Sequence, residues 1–594
     1  MPGPRSGRVA ALLASAVALT LPGCGLPGSS DVIVRGEVQR SAPVSDDAGT
    51  WEPPGRDATT VPQDFVKNFL AAPAGEPSRA QARVRRFLAP EADEAWRPAD
   101  TVHVARLVGE PIINRRPSGY DVQLQVEHLG ELADNGAVVP RPRAAARYRF
   151  SFAEGERGDN SLYVTAALPL ILLQDAVLRQ YYESRPVYFW SADETTLVPD
   201  MRYLPRRDVT AAQIPTQILD WMLGGPVPWL RPAVRALPPG AARRGNVPAP
   251  TRDRIEVTLS KAVDTDRREQ VDKLATQLRW SLGDSEQTLR LRVDEFQADY
   301  GGADYQRANA AYRGSRPVTA MAVLGGRPRP IGASTPGLVV PPELPSGYRL
   351  ARRAAYTMVG VVWSAAIVRP AGGKDLGLDL AFGSEAGLEP PRPTSLRARS
   401  VGRPVWIRGG RSGLVAADGR LYSFRAGKQP RATPVAGAPV GRVGAVAVAP
   451  DGQRVALLVG GVLYVAALGA DDAPVGIGPA QRVPVALGGL TAVDFSEEGR
   501  LVVAGRLPDG RAQLVDVTLD GALQTPRAGQ FGAAAITQLV ALPSDPTSRS
   551  GPGPVLYEAN GLAYELYSVE RRLTAEDVGV PGSTAYPSAP FFVT

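Results

Sequence analysis

Val446-Ala447-Val448-Ala449-Pro450-Asp451-Gly452-Gln453-Arg454-Val455-Ala456-Leu457 is answered by Ala492-Val493-Asp494-Phe495-Ser496-Glu497-Glu498-Gly499-Arg500-Leu501-Val502-Val503. In each copy two short apolar runs flank a turn of acidic residues and glycine. Each copy is followed by another such run, Val462 to Ala466 and Leu514 to Leu519. Runs of this length between Gly and Asp-Gly turns read as strands and hairpins, because a two-residue hairpin requires positive φ. The offset between the copies fits the ~40–50 residues of one propeller blade. Weaker copies flank the pair. Val405-Trp406-Ile407 leads to Asp418-Gly419-Arg420-Leu421-Tyr422, and Val555-Leu556-Tyr557 leads to Asn560-Gly561-Leu562-Ala563-Tyr564. Residues 335–594 are therefore expected to form a β-propeller of about five to six blades. Asp-Gly also invites a calcium reading, but a calcium loop needs carboxylates at every second position, and no such run occurs.

Upstream the rhythm differs. Over 59–180, Thr60 with Gln63 and Ser78 with Gln81 precede helical apolar spacing (Val61, Phe65, Phe69; then Val84, Phe87, Leu88), the pattern of two capping boxes. Tyr120, Val122, Leu124 and Val126 then alternate with polar residues, and Tyr148, Phe150 and Phe152 repeat this after an Asn135-Gly136 turn. Helices followed by period-two strands imply an α+β domain with an antiparallel sheet. His103 and His128 read as semi-buried or sheet-end histidines. Over 185–297, strands (Val187 to Trp190, Leu197 to Leu204, Ile255 to Leu259, Leu289 to Val293) alternate with helices, the first opened by Thr210 and Gln213. That is a second small α/β-type domain, and 298–334 reads as a connecting segment. The expected fold class is thus multidomain, α+β and all-β.

The chain has 594 residues, and the usual domain size of roughly 150 residues predicts three to four domains. At its start, Arg5 and Arg8 lead into an uncharged run from Val9 to Leu21, followed by Pro22, Gly23 and Cys24. Thirteen residues suit a secretory h-region and fall short of the ~20 that span a bilayer. Leu21-Pro22-Gly23-Cys24 resembles a bacterial lipobox, with Pro22 an unusual occupant. The resemblance implies cleavage after residue 23 and S-diacylglyceryl and N-acyl (palmitate-type) modification of Cys24. Cys24 is the chain's one cysteine, so no intramolecular disulfide is available, and two acyl chains make a stable anchor where one is marginal. Residues 1–23 are then the signal peptide. Residues 24–58, rich in Ser, Pro, Gly and Asp, are a flexible tether. The protein is expected on the outer face of the cytoplasmic membrane.

Of 67 basic residues five are Lys, and loss of Arg5 and Arg8 with the signal lowers the net charge from +7 to +5. No block of five basic residues occurs, which argues against nucleic-acid binding. Two histidines and one acylated cysteine leave no Cys/His nucleophile pair. Gly-x-Ser-x-Gly, Walker A and His-Glu-x-x-His are absent. No catalytic residue, metal ligand or cofactor is therefore assigned, and the chain is read as not an enzyme.

The segments "RPVYFWSADETTLVPDMRYLP", "PTQILDWMLGGP" and "IEVTLSKAVDTD" in this order resemble the GerMN domain, an extracytoplasmic interaction module without assigned catalytic residues. Lipobox, N-terminal α+β region, GerMN and propeller, taken together, resemble the LpqB family of actinobacterial lipoproteins over essentially the whole mature chain. The resemblance implies an accessory of the MtrAB two-component system that binds the ectodomain of the sensor kinase MtrB and influences envelope and division signalling. The alternative is a lipoprotein binding peptidoglycan or a small ligand in the propeller channel, with Trp406, Tyr422 and Tyr464 as stacking residues. Core packing between blades is the competing explanation for those three aromatics.

Overall fold

Short strands linked by glycine turns give, between Ala320 and Phe592, six sheets arranged as propeller blades. Blade 1 uses Arg353–Val359, Val362–Gly372, Asp375–Ser384, Gly387–Leu388 and Arg392–Ala398. Blades 2 to 5 are four-stranded antiparallel sheets whose innermost strands are Val405–Trp406, Val443–Val448, Gly488–Glu497 and Ile536–Ala541. Blade 6 is assembled from two distant parts of the chain. Its inner strand Ser588–Phe592 pairs antiparallel with Ala320–Leu324, which pairs with Arg327–Pro330. The inner strands contact one another in ring order, and Ser588–Phe592 touches both the blade 5 strand and Arg353–Val359, closing the circle. The structure, a computed structural model, describes residues 53–594 apart from 142–144, 156–160, 207, 261–265, 284–286, 313–317, 333–338, 438–440, 470–474, 548–552 and 568. Leu21, Pro22, Gly23, Cys24 and residues 25–52 of the tether lie outside the described residues, whereas its last residues, read as flexible, are ordered against the first domain: Arg56–Ala58 form a 3-10 turn and Arg56 lies over the Tyr163 ring at 3.8 Å.

Each blade buries its face against the next. Val368, Leu380, Val415 and Phe424 fill the gap between blades 1 and 2, Leu414, Val446, Val455 and Leu457 that between 2 and 3, and Leu458, Val465, Phe495 and Val503 that between 3 and 4. Tyr356, Trp363, Val540 and Phe591 join blade 6 to blades 1 and 5. The Asp-Gly reading is correct at Asp418-Gly419 and Asn560-Gly561, where both residues have positive φ. At Asp451-Gly452 only the glycine does. The segment 298–334, read as a connector, supplies two strands of blade 6. Their partner follows some two hundred residues of blade sequence, so no local repeat marks them.

In the N-terminal domain the sheet order is Leu162–Ala166, Ala146–Glu154, Gly119–Leu132, Val102–Leu107 and Ile171–Gln174. The expected sheet was antiparallel throughout, but Ile171–Gln174 runs parallel to Val102–Leu107. Neither predicted capping box forms. Helix Pro62–Ala71 starts on Pro62 after Val61, with no side-chain cap, and the Thr59 hydroxyl accepts the Val61 N–H instead. Ser78 lies in a 3-10 turn before helix Ala80–Arg85. Proline already fits a first helical turn, so the cap is dispensable there. At Thr210 the Gln213 side chain does reach back, accepting the Thr210 N–H at 2.9 Å.

The middle domain holds a βαβ unit, Arg254–Leu259 and Thr288–Val293 in parallel register across helix Arg268–Leu282, with Phe296–Tyr300 antiparallel at its edge. It also holds a long hairpin, Tyr182–Trp190 paired with Leu197–Pro205. Eight of the nine residues of Leu197–Pro205 are buried, because all three domains meet on this strand. The described residues from 53 onward belong to one compact unit.

Candidate binding site in the propeller channel

Six inner strands running side by side leave a channel between them. At the end where those strands finish lies a cavity of about 870 Å³, bordered by Thr357, Arg411, Pro450, Pro543 and Thr594. The hairpin turn of the middle domain reaches over this end, placing Asp193, Thr195 and Thr196 in the cavity wall. At the other end, where the strands begin, is a second hollow of about 240 Å³.

An ion pair separates the two. Arg403, just before the inner strand of blade 2, reaches Asp494 on the inner strand of blade 4 at 3.2 Å, both side chains about 15% exposed (15% and 14%). Asp494 also accepts the Ala541 N–H of blade 5 at 3.2 Å and its neighbour Phe495 N–H at 3.0 Å. Burial pushes the Asp494 carboxyl above the usual carboxylate range, and the Arg403 guanidinium opposes this. The pair ties three blades together across the lumen, since a buried carboxylate is tolerated only with such partners.

Of the aromatics proposed for stacking, Trp406 borders the larger cavity, while Tyr422 and Tyr464 do not. Trp406 is buried, donates its indole N–H to the Ala355 carbonyl at 3.0 Å and packs edge-on against Phe424. Tyr464 is buried between blades 2 and 3, and Tyr422 packs against the core between blades 1 and 2. These are packing residues. His128 is buried with its Nε2 2.9 Å from the Tyr148 hydroxyl, and His103 lies edge-on to it. Among the described residues no three His, Cys, Asp or Glu side chains gather as a metal site, and no helix is long and apolar enough to cross a membrane.

Sequence reasoning missed the residues that fix the cap. Arg454 and Asp451 form a fully buried pair at 2.6 Å beneath the hairpin, and Arg454 also donates to the Pro199 carbonyl. Asp200 and Arg202, on the same buried strand, pair at 2.9 Å, with Asp200 accepting the Val227 N–H. Burial raises the Asp200 carboxyl against the pull of Arg202. Tyr188 donates to Glu498 at 2.7 Å, and Tyr203 to Asp520 at 3.2 Å. One signal was available: opposite charges two apart inside the apolar run Leu197 to Leu204 occupy one strand face.

Three family models match this chain: "Lipoprotein LpqB, N-terminal domain" over residues 53–161, "Sporulation and spore germination" over 186–297, and "Lipoprotein LpqB beta-propeller domain" over 387–546. A Lipoprotein LpqB from Streptomyces coelicolor is 28% identical over 88% of this chain and 90% of its own length. The chain carries LpqB lipoprotein domains at both ends of its folded part. A relative from Rhodococcus opacus, also named Lipoprotein LpqB, is 27% identical over 41% of this chain and 39% of its own length, so that match spans only about two fifths of the relative. Among solved structures, a putative 6-phosphogluconolactonase from Bacteroides uniformis overlays with a TM-score of 0.28 and 11% identity, covering 46% of this chain and 99% of that chain. An overlap that loose says nothing of chemistry. In this chain the module matching the spore-germination model is the cap, and the LpqB-type propeller holds the channel.

Proposed function

We propose that this chain is a non-catalytic, membrane-anchored extracytoplasmic interaction lipoprotein of the LpqB family, held at the outer face of the cytoplasmic membrane through acylated Cys24. Its partner is the ectodomain of the sensor kinase MtrB, whose envelope and division signalling it modulates within the MtrAB system. The observation that carries this reading is the fusion of three modules on one buried hairpin strand. Such a body presents a continuous, fixed surface, which suits recognition of another folded domain. The packing of Tyr422 and Tyr464 into blade cores, and the burial of Trp406 at the cavity wall, supports this reading over a peptidoglycan reader that stacks sugars in the channel. Anchoring adds effective concentration, because confinement to the membrane plane makes encounter with a membrane partner quasi-intramolecular.

The test is capture of the full-length, detergent-solubilised chain by immobilised MtrB ectodomain and, separately, by peptidoglycan. Retention by the kinase supports the reading, and retention by peptidoglycan alone overturns it in favour of the glycan-binding alternative. Cys24→Ala should leave the melting temperature unchanged and shift the protein from the membrane to the soluble fraction. Continued membrane retention would refute the lipid anchor.

A further inference from the structure

The hollow at the uncapped end of the channel has a charge pattern that the partner reading does not use. Arg353 comes from blade 1, Arg403 from the entry to blade 2 and Arg442 from the entry to blade 3, and all three line the same hollow. Blades 4 and 5 complete its wall with neutral groups, among them Thr537 and Gln538. Arg353 donates to the Gln538 side-chain oxygen at 3.1 Å and to the Val401 carbonyl at 3.3 Å, and it has no carboxylate partner among the described residues. Arg442 is exposed and makes no ion pair among the described residues. It is seated against Gly419, where a Cβ would meet the Arg442 side chain at 2.9 Å.

The acids nearby are already engaged. Asp418 accepts the backbone N–H groups of Arg399 and Ser400. Glu558, buried below Thr537, accepts that hydroxyl at 2.7 Å and the Ala589 N–H at 2.7 Å. Asp494 holds Arg403 from the inner side. Of these acids only Asp418 lines the hollow, so its own wall sets three guanidinium groups against one carboxylate in a concave setting, where charge-assisted hydrogen bonds are strong.

We propose that the open mouth of the propeller binds a small anion of the phosphate or carboxylate class, held by Arg353, Arg403 and Arg442 from three successive blades. Arg403 faces both the mouth and the inner cavity. A bound anion thus competes with Asp494 for the same guanidinium and loosens the bridge that divides the channel. This site stands independently of the kinase reading, and its failure leaves that reading intact.

The experiment is isothermal titration of the full-length chain in detergent micelles with inorganic phosphate and, in a second arm, with citrate. Saturable binding of either, weakening as salt is raised, is expected. Response to phosphate alone identifies a phosphoryl ligand, to citrate alone a carboxylate, and to both a general anion site. Arg442→Ala, at an exposed position that leaves the fold intact, is expected to weaken binding about tenfold or more, as loss of a charged hydrogen-bond donor does. Asp494→Asn, checked for native melting, is expected to tighten binding several-fold by freeing Arg403, an effect no general structural role would produce. No binding in either arm, or equal affinity for the native chain and Arg442→Ala, overturns the proposal.

Discussion

Asp520 shows how single charges are handled where the domains meet. Its carboxylate accepts Thr518 Oγ1 at 2.5 Å, the Ala522 N–H at 2.9 Å and the Tyr203 hydroxyl at 3.2 Å, with no ion-pair partner among the described residues. Burial pushes its proton affinity up, ahead of those hydrogen bonds, which pull it down. The sign of the consequence is fixed by linkage. With its folded pKa raised, the folded protein keeps a proton that the unfolded chain has released. Stability is therefore lost as pH climbs from about 4 through the folded value. Asparagine keeps the accepting oxygen and cannot ionise. Asp520→Asn should melt higher than the native chain at pH 7, and the difference should shrink towards zero near pH 4. Thermal melts of both proteins across this range decide it, and a pH-independent difference would contradict the account. By contrast, the Asp451–Arg454 pair offers no such gain, because removing either member strands a charge that is nowhere exposed.

At the scale of the element, the 133–137 turn is the instructive case. Asn135-Gly136 was legible as a tight turn, and Gly136 has a φ of 73° with its N–H donated to Ala133. What could not be read is that the turn docks. Its Gly136 carbonyl accepts the Tyr203 N–H at 2.7 Å, and a Cβ at 136 would stand 2.7 Å from the buried Trp221 ring. Gly136→Ala should therefore lower stability by roughly 1–3 kcal/mol, from the positive φ and the clash together. A second change, Trp221→Leu, should give smaller than additive loss in a double-mutant cycle. Strict additivity in chemical denaturation would show that the two residues do not meet.

The same contrast runs through the other elements. Period-two runs such as Tyr120 to Val126 announce their strands, because alternation follows directly from one buried face. The helix Asp175–Tyr181 and the parallel strand Ile171–Gln174 carry no periodic signal over so few residues, and only their packing against Val102–Leu107 and the hairpin defines them. The capping pattern at Thr60 misled because Pro62 sets the helix start by its own geometry. For the candidate site, Asp494 lies on a strand that the sequence does mark and Arg403 two residues before another. Their meeting across the lumen depends on ring closure, which no local stretch encodes.

For the molecule as a whole, ring closure is concentrated in one strand. Phe591 is fully buried on Ser588–Phe592 and stacks on Tyr356 of blade 1 at 5.7 Å. Phe591→Ala should cost about 3–5 kcal/mol, as removal of a buried aromatic does. It should also lower hydrogen-exchange protection in the inner strands of blades 1 and 5, because both rest on the same strand. Loss confined to residues 588–592 would mean that the blades are independent and that closure contributes little. The hairpin Tyr182–Pro205 plays the matching role between modules, joining domain to domain where Phe591 joins blade to blade.

The split sixth blade also sets an order of events that a ring of identical repeats would not have. Ala320–Leu324 emerges from the ribosome before any other propeller strand, yet its inner partner is made only after blades 1 to 5. Until then the nascent arc has two raw margins, and strand margins with unpaired backbone groups recruit any extended chain nearby. The interval between the first strand and the last is thus a period of vulnerability written into the connectivity, during which a holdase or rapid translocation must keep neighbouring chains apart.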